Sequence, residues 1–112
     1  MARGNSEAFD AMVRYVNDPE RNVRITIMAE LSRHGKKGVP TLVKGLEDRD
    51  VIVRSVAAGS LGSFGPDAKQ AVPILIRLLN DEDNIPRAAA ADALAKIDPE
   101  RFQHLQAERK ID

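Results

Sequence analysis

A chain of 112 residues, 43% hydrophobic and 30% charged, is one domain's length with a core to bury, and is too apolar to be wholly disordered. Lys plus Arg equals Asp plus Glu at 17 each, which lacks the basic excess of a nucleic-acid binder. The absence of cysteine excludes disulfides and zinc–thiolate sites. No apolar run approaches the roughly 18 residues that span a bilayer, so the expectation is a soluble, cytoplasmic protein with no cofactor, no metal and no specific nucleic-acid or membrane partner.

In chain order, the first predicted element is a helix over 7–17, with Phe9, Met12, Val13 and Val16 inward and Glu7, Asp10 and Arg14 outward. Asp18 precedes a second helix over 21–34, in which Val23, Ile27 and Leu31 recur at i, i+4 and i+8. Gly35 follows, where a left-handed C-cap is wanted, and a third helix over 38–47 carries Pro40 in its first turn. Asp48 precedes a fourth helix over 51–64, built on Val53, Ala57, Leu61 and Phe64 and closed by Gly65. Ala57, Ala58, Gly59 and Gly62 predict close approach to neighbouring helices. A fifth helix over 68–80 carries Pro73, Asp81 introduces a sixth over 84–97, and a polar seventh over 99–108 offers only Phe102 and Leu105 inward. The tail after Glu108 is expected to fray.

These elements repeat. Arg24, Arg54 and Arg87 stand 30 and 33 residues apart; an Asp lies six residues before each (Asp18, Asp48, Asp81) and a Leu seven after (Leu31, Leu61, Leu94). "GVPTLVKGLED" at 38–48 and "AVPILIRLLND" at 71–81 form a second set, and "AFDAMVRYVND" at 8–18 is that element without its first half. This pattern resembles HEAT repeats, particularly the short bacterial type akin to those of phycobilin lyases. The resemblance implies an all-α, right-handed α-solenoid: one domain over 1–112, with a half-repeat cap at 7–17, repeats at 18–48 and 49–81, and a third repeat with its cap at 82–108.

The resemblance also implies a structural role for Asp18, Arg24, Asp48, Arg54, Asp81 and Arg87, each Arg reaching a loop Asp of its own or the neighbouring repeat. An Asp at a helix N-terminus caps backbone N–H groups, and an Arg in the following helix can fork onto it. Arg54, in the middle repeat, is expected to matter more to stability than Arg24 or Arg87.

Arg14, Lys44 and Arg77 share one repeat position, and stacked helices lie about 8–10 Å apart, so the three form a row. The second helices of HEAT-like solenoids line the concave face, which implies a groove for an acidic segment of another protein. Tyr15 would be its aromatic anchor, and Gly45, Leu78, Ala11, Thr41 and Ile74 its companions. Alternatively, each cation pairs with the acid four residues on (Asp18, Asp48, Asp81). The basic turn "RHGKKG" (Arg33 to Gly38) either touches phosphate or an acidic surface, or places cations at a helix C-terminus. His34 takes the place of Phe64 and Ile97 as a half-buried turn residue.

No enzymatic constellation emerges. His34 and His104 are each followed by a non-acidic residue, unlike the His-Glu pairs of HEAT-like metal oxygenases. The leading reading is a non-enzymatic protein-binding scaffold. Its rivals are an accessory or chaperone-like subunit of a pigment-lyase-type protein, and a structural or engineered repeat without a natural ligand. Poorly capped ends would permit end-to-end homo-oligomers.

Overall fold

A computed structural model describes residues 2–109, with side chains over 6–108. Among these residues there are seven helices and no strand: α1 (Ala2–Arg14), α2 (Arg21–Leu31), α3 (Val39–Gly45), α4 (Val51–Gly62), α5 (Val72–Leu78), α6 (Asn84–Ile97) and α7 (Pro99–Arg109). α2, α4 and α6 form one layer, with α4 packed on both its neighbours; α3, α5 and α7 return against them, and α1 leads in beside α2. The result is an all-α solenoid measuring 46 × 27 × 15 Å.

The repeat signals explain the turns. Gly35 and Gly65 adopt φ of +74° and +60°, the left-handed backbone expected after the first helix of each hairpin. A 3-10 segment follows in both places, Gly35–Gly38 and Gly65–Ala71, before Pro40 and Pro73 open α3 and α5. The regular part of α5 therefore starts at Val72 rather than 68, because Ala68 (φ −100°, ψ 23°) breaks the helical path. The second helices also end early. Leu46 N–H donates to Val43 O (3.2 Å) and Leu79 N–H to Ile76 O (3.1 Å), the tighter i−3 bonding of a closing turn. α1 starts earlier than expected, at Ala2, and ends at Arg14 rather than 17, where the same tightening links Asp18 N–H to Tyr15 O at 3.0 Å. α7 runs to Arg109, and the rest of the tail expected to fray lies outside the described residues.

Leu31, Leu42, Leu46, Val53, Leu61, Leu75 and Leu94 are fully enclosed between the layers. Three core assignments need correction. Val13, read as inward on α1, is 39% exposed, while Phe9, Met12 and Val16 pack on the core. Val23, read as core, is 36% exposed, whereas its counterpart Val53 is fully buried: α2 has no helix of its own layer stacked before it. Gly59, read as a packing glycine, is exposed, and a Cβ there would meet nothing within 4 Å. Gly62 alone of that pair brings helices together, with a Cβ position 3.2 Å from Ala93 Cα.

Candidate functional site

One edge of the solenoid carries the loops that join repeats, and there the Asp and Arg residues assemble. Each Asp carboxylate folds back to the N–H two residues on: Glu20 N–H to Asp18 (2.9 Å), Asp50 N–H to Asp48 (2.8 Å) and Asp83 N–H to Asp81 (2.9 Å). These are Asx turns that present the carboxylate sideways. Each Arg Nη1 donates to the backbone carbonyl of the Asp six residues before it: Arg24 to Asp18 O (2.7 Å), Arg54 to Asp48 O (2.9 Å) and Arg87 to Asp81 O (2.6 Å). The rest of the fork reaches the carboxylate of the following Asp in the row. Arg24 donates to Asp48 through Nε (2.9 Å) and Nη2 (3.3 Å), and Arg54 to Asp81 at 3.1 and 3.2 Å.

The pairs six residues apart therefore meet through backbone, while side-chain pairing runs on to the following Asp, one helical hairpin further along. The N-caps are also displaced from the expected Asp positions. Asp50 caps α4 by accepting from Ile52 and Val53 N–H (2.8 and 3.2 Å), and Glu20 and Asp83 hold the equivalent places without side-chain caps. Burial pushes the Asp50 carboxyl up, but the Val53 and Ile52 N–H groups with Arg21 and Arg24 outweigh it and hold the carboxyl below its usual 3.8.

A shallow depression of about 590 Å³ lies between two of these loops, beside Glu47, Arg49 and Glu82. The carboxylates of Asp48 and Asp81 on its walls are already taken by Arg24 and Arg54. This edge is built to join repeats.

Arg14, Lys44 and Arg77 sit in the last turns of α1, α3 and α5, all exposed, where the helix dipole favours a cation. The anticipated i,i+4 pairs do not form for Lys44 and Arg77, since Asp48 and Asp81 are engaged by the ladder. Arg77 instead reaches Glu47 of the preceding repeat at 3.3 Å. Glu47 is the residue that the sequence reading overlooked, and its spacing of one repeat period from Arg77 was the available signal. Among the described residues no carboxylate lies within 4 Å of the charged groups of Arg14 or Lys44. Tyr15, beside Arg14, is 56% exposed.

The expected groove companions divide. Ala11 and Ile74 are half-buried, but Thr41, Gly45 and Leu78 are buried and line no groove. Gly45 faces the layer of α2, α4 and α6, where a Cβ would collide with Met28 Sδ and lie 3.0 Å from Ala57 Cβ.

At the opposite edge, His34 is half-buried in its turn as expected, and its ring lies 6.0 Å from that of Phe9, tilted by 45°. Lys37 Nζ stands 4.7 Å over the same Phe9 ring.

A family model for HEAT repeats matches residues 39–107, more than half of the chain. The chain belongs to the HEAT-repeat family. No curated protein matches it. HEAT repeats generally serve as protein-interaction scaffolds and are typically non-enzymatic. The matched span includes α3 through most of α7, so the cations at Lys44 and Arg77 lie within HEAT repeats, while Arg14 and Tyr15 lie on the helix that precedes the match. Among the described residues no group of three His, Asp or Glu side chains could hold a metal ion, and no helix is long and apolar enough to cross a membrane.

Proposed function

We propose that this HEAT domain is a non-enzymatic scaffold that binds an acidic segment of a partner protein across α1, α3 and α5. The observation carrying this reading is the contrast among its cations. Arg24 and Arg54 are locked in forks onto Asp48 and Asp81, whereas Arg14 and Lys44 project into solvent with no carboxylate within 4 Å among the described residues. Arg77 adds a third rung, partly neutralised by Glu47. Tyr15 supplies an exposed aromatic beside Arg14, the kind of rigid, amphipathic side chain that anchors interfaces. The repeat fold holds these side chains on rigid helices, which lowers the ordering cost of binding.

The test is affinity capture on wild type and on the triple variant Arg14→Glu, Lys44→Glu, Arg77→Glu, with bound proteins identified. Loss of acidic partners from the variant is the expected result. Retention of the same partners by both proteins sinks the reading.

A further inference from the structure

The turn Arg33–Gly38 departs from the repeat that contains it. The equivalent turn after α4 carries one acid and one cation, Asp67 and Lys69, and likewise opens on a left-handed glycine followed by a 3-10 segment, there a longer one. The fold therefore does not require the four basic side chains Arg33, His34, Lys36 and Lys37. Their only acid within 4 Å among the described residues is Glu30, 3.8 Å from Arg33, at a site where the Arg33 side chain is 77% exposed. Arg33, His34, Lys37 and Glu30 surround a depression of about 360 Å³. Two of the side chains are held in place: the Lys37 ammonium sits over the Phe9 ring, and the His34 ring tilts against the same face of α1. Phe9 thus acts as a platform that holds these two side chains at the rim of the depression, which the Glu30 carboxylate also lines.

We propose that Arg33, His34 and Lys37 form a receptor for one phosphoryl group carried on a protein. Arg offers a fork of N–H donors matched to phosphate oxygens, and Lys adds a point charge. A phosphorylated side chain brings close to two negative charges, which suits a cluster with more cations than a single carboxylate needs. Nucleic acid fits less well, because its binding draws on many phosphate contacts, and this chain is neutral overall with one basic turn. A membrane surface is recognised by larger polybasic clusters. The turn lies across the 11-residue α2 from the inter-repeat loops, roughly 16 Å of helix away. It is thus separate from Arg14, Lys44 and Arg77, and either site can fail alone.

The experiment follows backbone amide signals of the full chain during titration with inorganic phosphate, with a short peptide carrying one phosphoserine, with the same peptide unphosphorylated, and with anionic phospholipid vesicles. Saturable shifts at Arg33–Gly38 and Phe9 with phosphate and phosphopeptide, but not with the unmodified peptide, are expected. Arg33→Ala, a change at a largely exposed side chain, should weaken binding roughly tenfold, and so should Lys37→Ala, while Lys44→Glu should not. No phosphate-dependent shift, or equal affinity in Arg33→Ala, overturns the site. Response to inorganic phosphate without the phosphopeptide, or to vesicles alone, overturns a protein-borne ligand.

Discussion

Arg24, Arg54 and Arg87 hold the same repeat position, yet their surroundings grade from closed to open. The Arg24 side chain is 3% exposed and donates to Asp48 and to the carbonyls of Asp18 and Pro19, whereas Arg54 is 14% exposed with its fork on Asp81. Among the described residues Arg87 has no carboxylate within 4 Å and keeps the Asp81 carbonyl. Breaking a buried ion pair strands the partner charge at a cost of about 3–5 kcal/mol, and a lone charged hydrogen bond contributes about 1.5–3. Arg24→Ala is therefore expected to lower the unfolding free energy by about 3 kcal/mol or more, Arg54→Ala by somewhat less, and Arg87→Ala least. Urea unfolding of the three variants checks this order, which replaces the expectation that the middle repeat matters most. Residue types and spacing made the pairing itself legible. The direction of each fork was not, because it depends on how far one repeat is displaced from the next.

Asp50 adds a pH-dependent contribution at the same edge. Its folded carboxyl titrates below the ordinary 3.8, so the unfolded chain takes up the proton first as pH falls. Its stabilisation is present above that ordinary value and disappears as pH drops through the depressed folded value. Asp50→Ala should cost about 1 kcal/mol at neutral pH through the lost cap, with the gap to wild type closing in acid. Unfolding measured across that window would contradict this if the gap were constant.

At the scale of the helix, α4 contains two glycines with opposite environments. Gly59 is exposed with open space around its absent Cβ, so Gly59→Ala should stabilise by up to about 1 kcal/mol through helix propensity alone. Gly62 lies against Ala93 on α6, where a Cβ would stand 3.2 Å from backbone, so Gly62→Ala should destabilise despite the same gain in propensity. Melting temperatures that move in the same direction for both variants would refute the assignment. Helix existence, order and turn chemistry were readable from periodicity, Gly35, Gly65 and the two prolines. Which small residue faces a neighbour was not, because Gly59 and Gly62 are three apart and differ only in their angle around α4. The cation row shows the same division. The position of Arg14, Lys44 and Arg77 follows from repeat alignment, but the Arg77–Glu47 contact needed the packing of α5 beside α3.

Among the described residues four helices (α1, α3, α5, α7) belong to the return layer and three (α2, α4, α6) to the other, so a return-layer helix comes first and last. A second copy stacked in register would place its α1 where α7 already lies. The outer flank of α2 is also unsuited to stacking. Thr26 and Glu30 stand there, one repeat before Val56 and Ser60, and Ser60 packs close enough to α2 for its hydroxyl to donate to Met28 O at 2.9 Å. At the far end, exposed Ala95 holds the place through which Gly62 admits α6. Such polar or closed outer faces oppose end-to-end stacking of this chain. The full chain is therefore expected to sediment as a monomer over a wide concentration range, and association of the intact chain would overturn this. Removing residues 99–112 vacates the α7 position, takes away Leu105, which is 5% exposed in the intact chain, and uncovers the core it packs on. That truncation should convert the protein to one whose sedimentation depends on concentration, because α1 of another copy then fits the empty place.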